Sequence, residues 1–179
     1  MKRALTRLFV VALLGCVSAK PQDDGSYTHE ATRLSFPKHA ADLVRDEPET
    51  GNPPGSVGLM YRRAGATVLL VVIMPVRPDQ ASEPSNVVAA MLGIDRIRGL
   101  PAREVATGHV DATCDETSSP FSYVLSEGPT GPEARFATKL RGHLVYIRCS
   151  RDPSPSNSIP GLLESILTNL RFPCHAAAA

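Results

Sequence analysis

Four cysteines and five histidines carry most of the reactive chemistry open to this sequence of 179 residues. Their spacing limits what they can do. Cys114, Cys149 and Cys174 form no Cys-x-x-Cys pair, which argues against a thiol oxidoreductase and against a zinc knuckle. His143 and Cys149 offer a base and a nucleophile on one predicted strand. Six residues of extended chain separate them by about 20 Å, far beyond hydrogen-bond reach. Cys149 shares its strand face with Val145 and Ile147 and reads as a buried, inert thiol. Cys174-His175 supplies two adjacent metal-ligand types with no further pair nearby. Asp111, Asp115 and Glu116 flank Cys114, yet the Asp-x-Asp-x-Asp-Gly spacing of a calcium loop is missing, so a solvated loop is expected. His29 and His39 stand alone and read as exposed. No Gly-x-Ser-x-Gly elbow occurs, and Gly51, Gly55 and Gly58 lack the lysine and helix of a phosphate loop. The expectation is a protein with no catalytic residues, no metal and no cofactor, hence not an enzyme.

Cys16 stands apart from the other three. Lys2, Arg3 and Arg7 make a cationic start, and Leu8-Phe9-Val10-Val11-Ala12-Leu13-Leu14 follow without interruption, the order of a secretory leader. As a helix this run spans about 10 Å against a hydrocarbon core of about 30 Å, too short to remain as a membrane span. Leu13-Leu14-Gly15-Cys16 resembles the lipobox of bacterial lipoproteins, in which cleavage before the cysteine leaves its thiol and new amine to be acylated. Val17-Ser18-Ala19 is the alternative, an ordinary signal-peptidase site with release at Lys20 and a soluble periplasmic or secreted product. The lipoprotein reading makes residues 1–15 a signal peptide, 16–26 a polar tether, 27–174 a single globular domain and 175–179 a disordered tail. Val17 stands where an aspartate would signal retention, and by resemblance to Gram-negative sorting rules this points to the outer membrane, facing the periplasm.

The leader holds three of the 19 basic residues and none of the 18 acidic ones, which leaves 16 basic against 18 acidic side chains. With no basic run and no basic–aromatic patch, the composition speaks against nucleic acid as a partner.

Any site must be positioned by the elements that follow. Tyr27–Glu30 and Arg33–Phe36 read as first pairing elements, stopped by Pro37, and 47–56 is a Pro/Gly-rich loop. Val57, Leu59 and Tyr61 alternate with smaller or polar residues, and Arg63-Ala64-Gly65 turns the chain. Ala66–Val76 then runs apolar on both faces, which predicts a central strand covered on both sides. Ser82-Glu83-Pro84-Ser85 opens a helix striped by Val87, Val88, Met91 and Leu92, ending at Gly93 or Gly99. Strands are expected at about 103–112, 120–127, 133–141 and 143–150, the last two joined by Arg141-Gly142. Ser158-Ile159-Pro160 starts a final helix with Leu162, Leu163, Ile166, Leu167 and Leu170 on one side. These elements predict an α+β domain: an antiparallel, strongly bent sheet with helices on both faces, an α/β/α sandwich.

That order also constrains the cysteines. In an alternating meander the strand at 103–112 ends at the sheet edge where 143–150 begins, and Cys149 is carried to the opposite edge. A final helix about 18 Å long returns the chain to the first edge. Cys114 and Cys174 are therefore the expected disulfide. With Cys16 lipidated or lost, three cysteines in an oxidising compartment allow one intramolecular bond.

Four segments resemble the PsbP-like fold of plant photosystem accessory proteins, nuclear-transport cofactors and many small bacterial lipoproteins. They are Leu34-Ser35-Phe36-Pro37, the hairpin over 57–76, Gly142-His143-Leu144-Val145-Tyr146-Ile147-Arg148, and Leu170-Arg171-Phe172-Pro173. The resemblance implies a binding or assembly module without a shared active site. The functional expectation is a non-catalytic cell-envelope lipoprotein, held to the membrane through Cys16, that binds an envelope protein as an accessory or assembly factor. The alternative is a secreted small-ligand binder or hydrolase with its site in loops 47–56 and 112–120.

The leader reading is checked by the intact mass of the mature protein from its host's membrane fraction. The expected mass begins at Cys16 and carries a diacylglyceryl and an acyl increment. A lipid-free mass beginning at Lys20 refutes lipidation.

Overall fold

The computed structural model describes residues 24–51, 53–76, 83–97, 99–100, 102–115, 117–129, 131–150 and 158–177. The leader, Cys16 and most of the tether lie outside the described residues. The chain runs through β1 (Tyr27–His29), β2 (Leu34–Phe36), β3 (His39–Ala40), β4 (Leu43–Arg45), β5 (Glu49–Thr50), β6 (Val57–Arg63) and β7 (Ala66–Pro75) to α1 (Pro84–Ile97). It continues through β8 (Arg103–Val110), β9 (Ala112–Cys114), β10 (Thr117–Ser118), β11 (Phe121–Gly128), β12 (Gly131–Leu140) and β13 (His143–Ser150) to α2 (Ile159–Asn169) and β14 (Cys174–Ala176).

Most strands join one sheet in the order β3-β4-β6-β7-β13-β12-β11-β8, with β5 also paired to β6. All its pairings are antiparallel. The architecture is therefore α+β with a mostly antiparallel sheet. Two hairpins form because residues at their turns accept the left-handed conformation that matches strand twist. Ala64 and Gly65 lie at φ 49° and 85°, and Arg141 and Gly142 at 49° and 74°. After β7 the chain crosses to the far edge as α1 and β8. It then returns inward through β11, β12 and β13 until β13 pairs with β7.

Side-chain alternation along β13 divides the core. Val145, Ile147 and Cys149 join a large cluster with Leu163, Ile166, Leu167 and Leu170 of the α2 segment, while Tyr146 joins a smaller one with Val88 and Leu92 of α1. α1 runs through Gly93 to Ile97. It stops at Gly99, φ 76°, where Leu100 N–H closes back on the Asp95 carbonyl at 2.9 Å. α2 starts on Ser158, whose hydroxyl accepts from Gly161 N–H at 3.2 Å. It ends through Phe172 N–H on the Leu167 carbonyl at 2.8 Å, with Arg171 at φ 55°.

Several expectations need correction. Burial on both faces falls on β12 and β13 rather than on β7. Along β7, Leu69, Val71 and Ile73 are buried, but Val68, Leu70, Val72 and Met74 are only half-buried. The reason is the crossover: α1 packs mainly on β11, β12 and β13 and reaches β7 only at the cluster that Val72 borders. The polar loop at 112–120 contains β9 and β10, and the loop at 47–56 contains β5. The chain is also not a loose tail from 175, because Cys174–Ala176 pairs with β9 as an outer strand. His29 is buried, 6% exposed, rather than exposed, because it closes the β1–β2 hairpin against the β13 end.

Cys114 and Cys174 are directly opposite in the β9–β14 ladder, 4.1 Å apart at Cα, and are joined by a disulfide. Asp115 N–H donates to the Pro173 carbonyl, which makes this a non-hydrogen-bonded pair, the position where antiparallel side chains come closest. The bond spans 60 residues. A double Cys114→Ala, Cys174→Ala variant is expected to lose about 2–4 kcal/mol in urea unfolding. Reduction of the unmodified protein should lower the midpoint similarly, while reductant leaves the double variant unmoved.

Candidate functional site

Three residues of β12 and β13 place charge on a sheet face. Val124, Arg135, Arg148 and Leu70 form one cross-strand row over β11, β12, β13 and β7; Ser126, Glu133 and Ser150 form the next. Cross-strand partners share a face. Arg135 is 1% exposed and Glu133 7% at the side chain, so their burial requires compensation. Arg135 Nη2 donates to Glu133 Oε2 at 2.8 Å and to Asp95 Oδ2 of α1 at 2.7 Å, and its Nη1 donates to Ser126 Oγ. Arg148 binds Glu133 through two donors, Nη2 to Oε1 at 2.5 Å and Nε to Oε2 at 3.1 Å. The hydrogen bonds from Glu133 hold the Arg148 guanidinium above its already high ordinary pKa. Tyr146, on the same face of β13, has its phenol pushed up to about 12 by burial.

Two arginines and two carboxylates thus neutralise one another. The arrangement fixes the end of α1 to the sheet. On its β7 side lies a groove of about 370 Å³, lined by Ala66, Val68 and Leu70 and, across from them, by Glu133, Arg148 and Ser150. An aliphatic wall facing a guanidinium–carboxylate pair and a hydroxyl suits a partner that is apolar in part and hydrogen-bonding in part. Exposed aliphatic side chains also occur at Ile94, Ile97, Leu100 and Val105, where α1 leads into β8.

The residues singled out from the sequence are dispersed. Cys149 is buried and takes no part in the disulfide, at the opposite end of β13 from His143. His175 faces Glu164 Oε1 at 3.2 Å, and His39 is exposed. Asp115 is held by Arg141 at 2.6 Å. Among the described residues no three metal-ligating side chains converge. The spacing Ser35-x-x-Lys38 formally matches a serine–lysine dyad, but Ser35 meets Thr28 and Lys38 meets Glu47 instead. Sequence reasoning also passed over His109, whose Nδ1 lies 3.2 Å from Ser122 Oγ; Ser122 is 5% exposed, so its hydroxyl anchors the ring rather than meets a substrate. The charge cluster was missed although it left a signal. Asp95 continues the apolar stripe Val88–Leu92 of α1 at the next helical position, and Glu133 and Arg135 sit two apart on one face of a strand, with Ala134 and Phe136 on the other.

No family model matches the sequence, and no curated protein does. The fold is similar to the solution structure of cyanobacterial PsbP from Synechocystis sp. PCC 6803, with a TM-score of 0.51 at 14% identity, over 85% of this chain and 91% of that one. At that identity the likeness is one of fold, and it agrees with the PsbP-like resemblance of the sequence. Among the described residues no helix is long and apolar enough to cross a membrane.

Truncating Arg135 leaves the half-buried Asp95 without its cation and the buried Glu133 with Arg148 alone. Arg135→Met is expected to destabilise the domain by about 3–5 kcal/mol in chemical unfolding. Lys38→Ala, which removes an exposed pair with a 90% exposed glutamate, should change it by less than about 1 kcal/mol. Equal effects from both variants would mean that the cluster does not anchor α1.

Proposed function

We propose that this chain is a non-catalytic accessory module of the cell envelope, anchored through Cys16 at the outer membrane and facing the periplasm, that binds a partner protein on the open face of β7. The observation that carries the reading is the half-buried apolar strip of β7 beside the Arg148–Glu133 pair. Uncovered apolar surface next to a paired polar cluster is the composition of an interaction face. The layering supports it. Neighbouring residues of β13 belong to the α1 cluster and the α2 cluster, as expected for helices on both faces of an α/β/α sandwich. α1 then occupies only part of its face and leaves β7 available. The fold similarity to a PsbP protein and the mutual neutralisation of the buried charges favour an accessory role over catalysis.

The test is site-specific photo-crosslinking in the host envelope. Probes are placed at Val68 and Leu70, at Glu49 on the exposed strand β5, and at Ile97, which is 87% exposed. The expected result is a protein adduct of one defined mass from Val68 and Leu70, with none from Glu49 or Ile97. An adduct from Ile97 instead, or no adduct from the β7 positions, overturns the assignment of this face.

A further inference from the structure

We infer that His29 is a pH-operated latch on the N-terminal hairpin, closed while its ring is neutral and opened by its protonation. The hydrogen bonds around the ring set its proton. Leu34 N–H donates to Thr32 Oγ1 at 3.3 Å, so the Thr32 hydroxyl turns its own hydrogen to His29 Nδ1 at 2.9 Å. Thr32 N–H also donates to Nδ1, at 3.3 Å. With two donors aimed at it, Nδ1 is the acceptor, and the ring proton sits on Nε2. The Gly55 backbone lies close enough to act on the ring, and the His143 ring at the start of β13 packs edge-on at 5.3 Å and 77°. One ring thereby sits between the β1–β2 hairpin, the segment before β6 and the start of β13.

Protonation conflicts with the Thr32 amide and with the burial of the ring. It places an N–H on Nδ1 facing the Thr32 N–H, donor against donor, and sets a cation in a site only 6% exposed. The charged and titratable groups around it are Glu30 from the hairpin itself, His143 from β13, and Arg141 of the β12–β13 turn. Arg141 donates to the Thr32 carbonyl and is paired with Asp115. Burial is the largest influence and holds the imidazole below its ordinary 6.5; His143 acts in the same direction, and the Gly55 backbone and Glu30 act against both. Because the closed state depresses the pKa, the open state binds the proton more tightly. The closed state is fully favoured above about pH 6.5 and loses stability as pH falls from there toward the depressed value.

The hairpin is built to open as a unit. β1 and β2 form their own two-stranded sheet, outside the large one. Besides the His29 pocket, what holds it is side-chain contact. Phe36 packs edge-on to Phe172 at 5.6 Å, Arg45 Nη2 donates to the Gly25 carbonyl at 2.7 Å, and Arg171 meets Asp24 at 3.0 Å. Leu34 and Phe36 also enter the core, so release of the hairpin is a sub-global opening rather than fraying. It is also the part of the domain that follows directly on the tether, so its release changes how the domain hangs from residue 16.

Amide hydrogen exchange of the full mature protein between pH 7.5 and 5, corrected for the intrinsic rate at each pH, tests the latch. Protection of residues 27–36 should fall by about tenfold per pH unit between about 6.5 and the depressed pKa, with β11–β13 unchanged. His29→Gln, which keeps a donor and an acceptor but does not titrate, should abolish the pH dependence; His143→Gln should retain it. Imidazole ¹⁵N spectra of the unsubstituted protein keep the test decisive if a variant fails to fold, and should show His29 protonated on Nε2 at pH 7.5. A ring protonated on Nδ1, protection that ignores pH, or a pH dependence that survives His29→Gln and vanishes in His143→Gln overturns the proposal.

Discussion

The pairing of β13 with β7 governs the rest of this molecule. Because the chain first leaves β7 for the far edge and only then works inward, a helix must span the width that β11, β12 and β13 will fill. α1 is that helix, and its apolar stripe therefore packs on the three returning strands. β12 and β13 become strands with neighbours on both edges and buried side chains on both faces, β13 from Leu144 to Ile147. β7 contributes one fully buried row to the core, while its other row is only half-covered. The open face is thus a consequence of topology, and it would persist whatever residues lined it.

Much of this order was legible in the sequence. The two amphipathic stripes, the Ala64-Gly65 and Arg141-Gly142 turns and the Ser158 cap each depend on residues close in the chain, so local chemistry suffices to read them. The covering of β7 was misread because Ala66–Val76 carries no polar residue beyond Thr67, and periodicity then cannot tell a covered face from an uncovered one. What decides it is where α1 lies, a long-range matter. The short strands β5, β9 and β10 were hidden for a related reason: two or three polar residues have no periodicity to display, and they pair only because neighbours present an open edge.

The charge cluster and the histidine pocket were hidden differently. Glu133, Arg135 and Arg148 are individually ordinary strand residues, and only the register that sets Arg135 beside Arg148 turns them into a network. Asp95 broke the α1 stripe in a way that could have been noticed, since a carboxylate at a stripe position needs a buried cation. His29 offered no such clue. Its partners are a local turn through Thr32, the backbone at Gly55 and a ring 114 residues downstream at His143, and isolated histidines in sequence are silent about all three.

Cohesion is unevenly distributed, and the unevenness has direction. The end of α1 is gripped by ion pairs to an arginine that is almost wholly buried, and the C-terminal strand is locked to β9 by a covalent bond. A buried, compensated pair gives little net stability against an apolar alternative but strongly penalises any geometry that separates the partners, so α1 has one docking position. The N-terminal hairpin has neither device. Its Arg171–Asp24 contact is solvent-exposed and worth little, and what remains is Leu34 and Phe36 in the core and hydrogen bonds from Arg45 and Arg141 to backbone carbonyls. In a domain held this way, thermal and chemical perturbation reaches the N-terminal side first, while the β7 face, braced by β13 and the Arg135 cluster, keeps its shape. A rigid β7 face beside a more yielding N-terminal hairpin is the division of cohesion that the accessory role proposed above calls for.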